Sequence, residues 1–313
     1  MTRDMTVGNP VKLIISFSIP LLIGNLFQQL YSMVDAVIVG QFLGVDALAA
    51  VGTTGALSFL ILGFVMGMTG GFSVLIAQRF GAGDYDEMRH TVAMSAILSV
   101  ALCVVMTFIS MVFCWQLLEI MNTADNIIGM AYDYIIVIFA GTTANVLYNL
   151  LSGILRALGD SKTPLYFLIL SSLLNVGLDL LFIINFQMGV AGAGYATVFS
   201  QFVSGLLCLI YMTKKFPILR FQRQDWTFRP STCLLLLKIG SPMAFQFSIT
   251  AIGVVTMQGA VNSFGSATTA AFTAASKVES LTQQLMATLS TTTATFVGQN
   301  LGAGKPERIR EGV

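Results

Sequence analysis

Asn175 and Asp179 stand four residues apart inside the run 165–184, LYFLILSSLLNVGLDLLFII. About 20 apolar residues at ~1.5 Å each span the ~30 Å hydrocarbon core of a bilayer, so the run reads as a membrane helix. Residues four apart share one helix face. An amide and a carboxylate on such a face are costly unless they meet a partner, a cavity or an ion. Asp35 and Thr197 fall at a matching level. Counting ~1.5 Å per residue, Asp35 is about 33 Å along the first apolar run, Asp179 about 25 Å from the inner surface and Thr197 about 12 Å below the outer one. Two carboxylates, an amide and a hydroxyl at one depth make an all-oxygen set suited to a hard cation such as Na⁺. Alternatively the two acids carry protons. The plain structural reading is that Asp35 and Asp179 only hydrogen-bond neighbouring helices.

The elements that must position these groups follow from composition. The chain has 313 residues, 55% hydrophobic and 10% charged, with a mean hydropathy of +0.81. Soluble domains carry about 25% charged residues, so an all-α polytopic membrane protein is expected. A net charge of +1 argues against a nucleic-acid partner. Cys103, Cys114, Cys208 and Cys233 lack CxxC spacing and read as small buried hydrophobes. With His90 as the sole histidine, His-based metal or triad chemistry has nothing to build on. No cleavable signal peptide is visible, and no cofactor is expected beyond a coupling ion.

Eight spans are predicted: Leu13–Val39, Ala47–Ala77, Thr91–Trp115, Ile127–Leu151, Leu165–Ile184, Val190–Met212, Leu234–Val261 and Thr268–Val297. Pro20, inside the first, is expected to bend it. With the N-terminus in the cytoplasm, every Lys and Arg falls on the inner side except Lys277, which lies within the eighth span. The basic stretch Thr213–Cys233 reads as a linker, dividing a six-helix unit (1–212) from a second unit (234–313). The chain repeats itself in parallel. Gln78-Arg79-Phe80-Gly81-Ala82-Gly83 matches Gln299-Asn300-Leu301-Gly302-Ala303-Gly304, and Ala49-Ala50 matches Ala270-Ala271 at the same offset. The second copy stops at Val313, where a ninth span would start, so the expectation is a chain holding six helices of one half and two of the other.

Lesser polar positions carry open readings. Asn145, Tyr148 and Asn149 can line the same cavity or bond between helices. Lys277 and Glu279 sit two apart, so they do not face each other, but either can meet substrate. Gln246 and Gln258 read as packing or cavity residues, and Asp133 as solvated. The row Gly63, Gly67, Gly71 reads as a close-packing face. Gly302-Ala303-Gly304-Lys305-Pro306 lacks the phosphate-loop spacing, and Pro306 stands where Ser or Thr is needed.

Pro20 followed fifteen positions later by Asp35, in FSIPLLIGNLFQQLYSMVDAVIVGQFLG, resembles the first helix of multidrug and toxic compound extrusion (MATE) transporters. Asn175, Asp179 and Thr197 resemble the cation-site residues of the DinF-like branch in type and spacing. The resemblance implies a twelve-helix fold of two six-helix lobes around a central cavity. It also implies export of lipophilic, often cationic compounds by a monomer in the cell membrane, driven by inward Na⁺ or H⁺. By matched position Asp35, Asn175, Asp179 and Thr197 would hold the coupling cation, and Pro20 would be the bending point. An acid carried on the seventh helix by another branch is absent here, where Gln246 and Gln258 stand instead. The alternative is a flippase for lipid-linked precursors, which would need a cavity rich in Arg or Lys. A membrane-embedded enzyme would need a nucleophile–base pair or metal cluster that the sequence does not offer.

Overall fold

The computed structural model describes residues 4–121, 123–262 and 266–313, with the side chains at 255, 258–278, 280 and 281 outside the described residues. The helices are α1 (Pro10–Leu43), α2 (Val45–Gly81), α3 (Tyr85–Val112), α4 (Cys114–Ile120), α5 (Ile128–Ala140), α6 (Thr142–Ala157), α7 (Lys162–Leu180), α8 (Gly189–Lys215), α9 (Pro230–Asn262), α10 (Ser266–Gly302) and α11 (Pro306–Gly312). A π-helical turn, Leu181–Asn185, extends α7. Among the described residues there is no strand.

Six of these helices are long and apolar enough to cross a membrane: α1, α2, α3, α7 with its π turn, α8 and α9 as far as Val254. The α5–α6 pair makes a further span, bent by 47°. The protein is a multi-pass all-α membrane protein. The predicted eighth span falls inside α10, whose backbone is helical throughout. Lys277, Gln258 and the repeat residues Ala270 and Ala271 lie outside the described residues.

Two local features stand out. The fourth span is not straight but breaks at Gly141. There the Thr142 hydroxyl bonds back to the Phe139 carbonyl at 2.7 Å, and a Cβ on Gly141 would overlap the Val198 side chain. The break thus lets α8 approach the corner closely. Conversely α1 runs through Pro20 as one helix. Proline gives no N–H to the ladder, but packing holds both flanks. Ser18 Oγ donates to Thr292 Oγ1 at 3.0 Å and Asn25 Nδ2 to Thr288 Oγ1 at 2.9 Å, both on α10.

α2 is the central helix. Its glycine row lies against α9, where a Cβ at Gly67 would sit 2.6 Å from the Ala244 Cα. The sequence repeat reappears as a reciprocal contact at the ends of α2 and α10. Gly81 abuts the Gln299 backbone, and Gly302 abuts the Gln78 backbone. The same pair of positions is used twice, as across a local two-fold axis. Gln299 also ties down the chain start, accepting from Met5 N and donating to the Ala157 carbonyl, both at 2.8 Å.

The segment read as a linker is folded rather than loose. Its two 3₁₀ turns, Pro217–Leu219 and Arg223–Trp226, precede α9. Buried Asp225 accepts from Gln222 N at 2.7 Å and from Arg89 Nε at 3.3 Å. His90 Nδ1 meets the Asp225 carbonyl at 3.0 Å, which gives the lone histidine a structural task. The four cysteines are buried and free.

The α2–α9 seam makes a matched pair of substitutions informative. Gly67→Ala forces backbones apart and is expected to cost about 1–3 kcal/mol, seen as a lower melting temperature of the purified protein. Gly52→Ala, where nothing lies within 4 Å, is expected to leave the melting temperature unchanged or raise it through helix propensity. Equal behaviour of the two variants would refute the close-approach account.

Candidate cation site and cavity

Asp35 is buried on α1, while Asn175 and Asp179 are buried one turn apart on α7. The carboxyls of Asp35 and Asp179 are neighbours, close enough to interact electrostatically. Asn175 Nδ2 donates to Thr197 Oγ1 on α8 at 3.4 Å. The four residues singled out from sequence are therefore brought together by α1, α7 and α8. Asp35 Oδ1, Asn175 Oδ1 and both Asp179 carboxyl oxygens are buried without a donor among the described residues. The described ion pairs, Arg89 with Asp86 and Asp225 and Arg229 with Glu87, involve neither acid. Oxygen after oxygen points inward with nothing to neutralise it, the donor set a small hard cation or a shared proton would satisfy.

Local structure explains the placement. The π turn directly after Asp179 carries Ile183 into a cluster with Ile38, Val39, Val190 and Ala193. That apolar plug closes the end of the bundle just beyond the acids.

Two tyrosines complete the surroundings, and neither was singled out from sequence. Tyr31 lies within electrostatic reach of both acids. Tyr134 on α5 also senses both acids. Tyr31 had a readable signal, since it precedes Asp35 by one helical turn. Tyr134 had none, because it comes to the acids from α5, about a hundred residues from Asp35 in sequence.

Next to this group lies a cavity of about 550 Å³ between α1, α2, α6, α7, α8, α9 and α10. Asn145, Tyr148 and Asn149 line it, as expected. Asn149 Nδ2 donates to Asn145 Oδ1 at 3.0 Å, and Asn145 Nδ2 to Gln201 Oε1 at 3.4 Å. The Tyr148 hydroxyl donates to the Pro164 carbonyl at 3.3 Å. Pro20 and Tyr31 line it as well. A hydrogen-bonded run of amides from Asn149 through Asn145 to Gln201 follows the cavity wall, and Tyr31 on the same wall lies within electrostatic reach of the acids. Two other candidates fall elsewhere. Gln246 is exposed on α9 and outside the lining, where its neighbour Phe247 faces the cavity instead. Glu279 is exposed and accepts from Gln283 Nε2 at 2.9 Å. Asp133 is exposed, as read.

A family model described as MatE matches residues 20–181 and 242–313, well over half of the chain. The chain belongs to the MatE family. It is 31% identical over 302 residues to the probable multidrug resistance protein YoeA of Bacillus subtilis, covering 94% of this chain and 65% of that protein. It is 30% identical over 310 residues to the probable multidrug resistance protein YpnP of the same organism, covering 98% of this chain and 68% of that one. A solved structure described as "Reverse polarity of binding pocket suggests different function of a MOP superfamily transporter from Pyrococcus furiosus" superposes with a TM-score of 0.91 at 28% identity, covering 98% of this chain and 68% of that chain. The chain thus spans about two thirds of the length of the proteins it matches. MatE membership places it among transporters rather than enzymes.

Two facing buried acids without a counter-charge should be a stability liability in this MatE chain. Asp179→Asn is expected to keep or raise the melting temperature in buffer free of alkali cations at alkaline pH. A fall of several degrees would mean that the carboxylate is instead a structural anchor.

Proposed function

We propose that the chain forms part of a cation-coupled exporter of amphiphilic small molecules, working by alternating access. The observation that carries this reading is the facing pair Asp35 and Asp179, whose buried oxygens lack donors. In the proposed mechanism Na⁺ or H⁺ enters from outside and binds at Asp35, Asp179, Asn175 and Thr197. Its charge removes the repulsion between the acids and relaxes the end of α1 against α7. Tyr31 and Gln201 pass that change to the cavity wall, and α1 bends at Pro20 as the site loads. Residues 1–212 act as one lobe, 213–233 connect, and 234–313 contribute helices of the second lobe. The protein acts as a monomer in the cell membrane with its N-terminus in the cytoplasm, next to its basic segments.

The flippase reading needs a cluster of cationic groups for a pyrophosphate. Arg156 is the one Lys or Arg on the cavity wall among the described residues, which favours the exporter.

A ligand that binds the folded state alone stabilises it by about 2.7 kcal/mol at a hundredfold excess over Kd. Adding Na⁺ at constant ionic strength, or lowering pH without Na⁺, is expected to raise the melting temperature by several degrees. The ion that does so is the coupling ion. Asp35→Asn and Asp179→Asn are expected to lose that increment, and cells carrying either variant in the intact transporter to lose efflux while membrane insertion persists. Wild-type efflux in both variants would sink the mechanism.

A further inference from the structure

Arg156 occupies the last turn of α6 and faces the cavity. Its guanidinium makes no hydrogen bond or ion pair among the described residues. Its electrostatic neighbours are the Tyr148 hydroxyl and the Cys208 thiol, both uncharged near neutral pH. Asp160, four residues on, is committed elsewhere. Its carboxyl accepts from Lys162 N at 3.1 Å, Thr163 N at 3.0 Å and Thr163 Oγ1 at 2.7 Å. Among the described residues no Asp or Glu lines the cavity. The paired acids lie behind Tyr31, outside the lining. What remains of the wall is amide and hydroxyl groups, with Phe59, Met66, Leu168 and Phe247 as apolar surface.

A guanidinium stays charged at every accessible pH. Held without an anion at a partly buried site, it is costly. The C-terminal end of α6 offers it only about 0.3–1 kcal/mol of dipole compensation. A cationic solute in this cavity would meet a like charge and no carboxylate.

We propose that Arg156 is the charge-recognising residue of the cavity and that the cavity takes lipophilic monoanions, the anionic group at Arg156 and the apolar body against the aromatic and aliphatic wall. This deepens the exporter reading and rests on it, because it takes this cavity as the substrate cavity. It departs from the cationic substrates that the family resemblance implies. A lone guanidinium matches one negative charge, as in a carboxylate, sulfonate or phosphodiester.

Tetraphenylborate and tetraphenylphosphonium have nearly the same size and shape and opposite charge, which isolates the sign. Equilibrium binding of each is measured to the purified chain in nanodiscs of zwitterionic lipid, with empty nanodiscs subtracted. The borate is expected to bind about tenfold more tightly or better. Arg156→Gln is expected to bring the two affinities together, and Arg156→Lys to keep most of the preference. Equal or tighter phosphonium binding by the wild type overturns the inference while leaving the exporter reading intact. So does an unchanged preference in Arg156→Gln. If neither ion binds, the substrate-cavity reading falls together with the inference. Should Arg156→Gln fail to fold, the wild-type ratio and Arg156→Lys decide.

Discussion

Asp35 and Asp179 face one another inside a bundle whose surroundings are apolar side chains and lipid, with no Lys or Arg against them among the described residues. Removing an ion from water costs on the order of several kcal/mol even after relaxation, and a second like charge at contact adds to it. The fold tolerates this only because α1, α7 and α8 are fastened elsewhere. Ser18 and Asn25 tie α1 to α10, and the apolar plug around Ile38, Ile183 and Val190 closes the end above the acids. Structural support is thus separated from the polar group it encloses.

The cavity and the acids are neighbours but not one compartment. Tyr31 links them, lining the cavity and lying within electrostatic reach of the two carboxyls, with Gln201 and Asn145 hydrogen-bonded on the same wall. A solute in the cavity and an ion at the acids therefore need not meet to influence each other. Their common element is one wall of hydrogen-bonded amides, whose donors and acceptors can be rearranged at little cost because each amide offers both.

Much of this was readable from the chain. The all-helical membrane architecture, the juxtaposition of Asp35, Asn175, Asp179 and Thr197, and the repeat follow from hydropathy, helical rise and self-similarity, which are local or periodic properties; of the eight spans expected, six helices and one bent pair are long and apolar enough among the described residues. The missed features are of another kind. The break at Gly141 sits against Val198 of α8, and Tyr134 comes to the acids from α5, about a hundred residues from Asp35 in sequence. Gln246 was misjudged because packing decides which residue of a helix meets the cavity, and here that residue is Phe247. The unbroken run of α1 through Pro20 is flanked by hydrogen bonds to α10, more than two hundred and fifty residues away in the chain. Charge partnership is equally invisible in sequence, and the isolation of Arg156 emerges only once Asp160 is seen bound to its own loop.

The reciprocal seam of Gly81 with Gln299 and Gly302 with Gln78 brings main chain against main chain with no side chain between. Such a joint has no compressible layer. A side chain can swing aside and absorb a gradual slide, whereas abutting backbones either stay engaged or part completely. Coming in two copies related by the local two-fold axis, the joint must also release both at once. Motion between the repeat-related hairpins should accordingly behave as a latch with two settings, not as a spring with a continuous range.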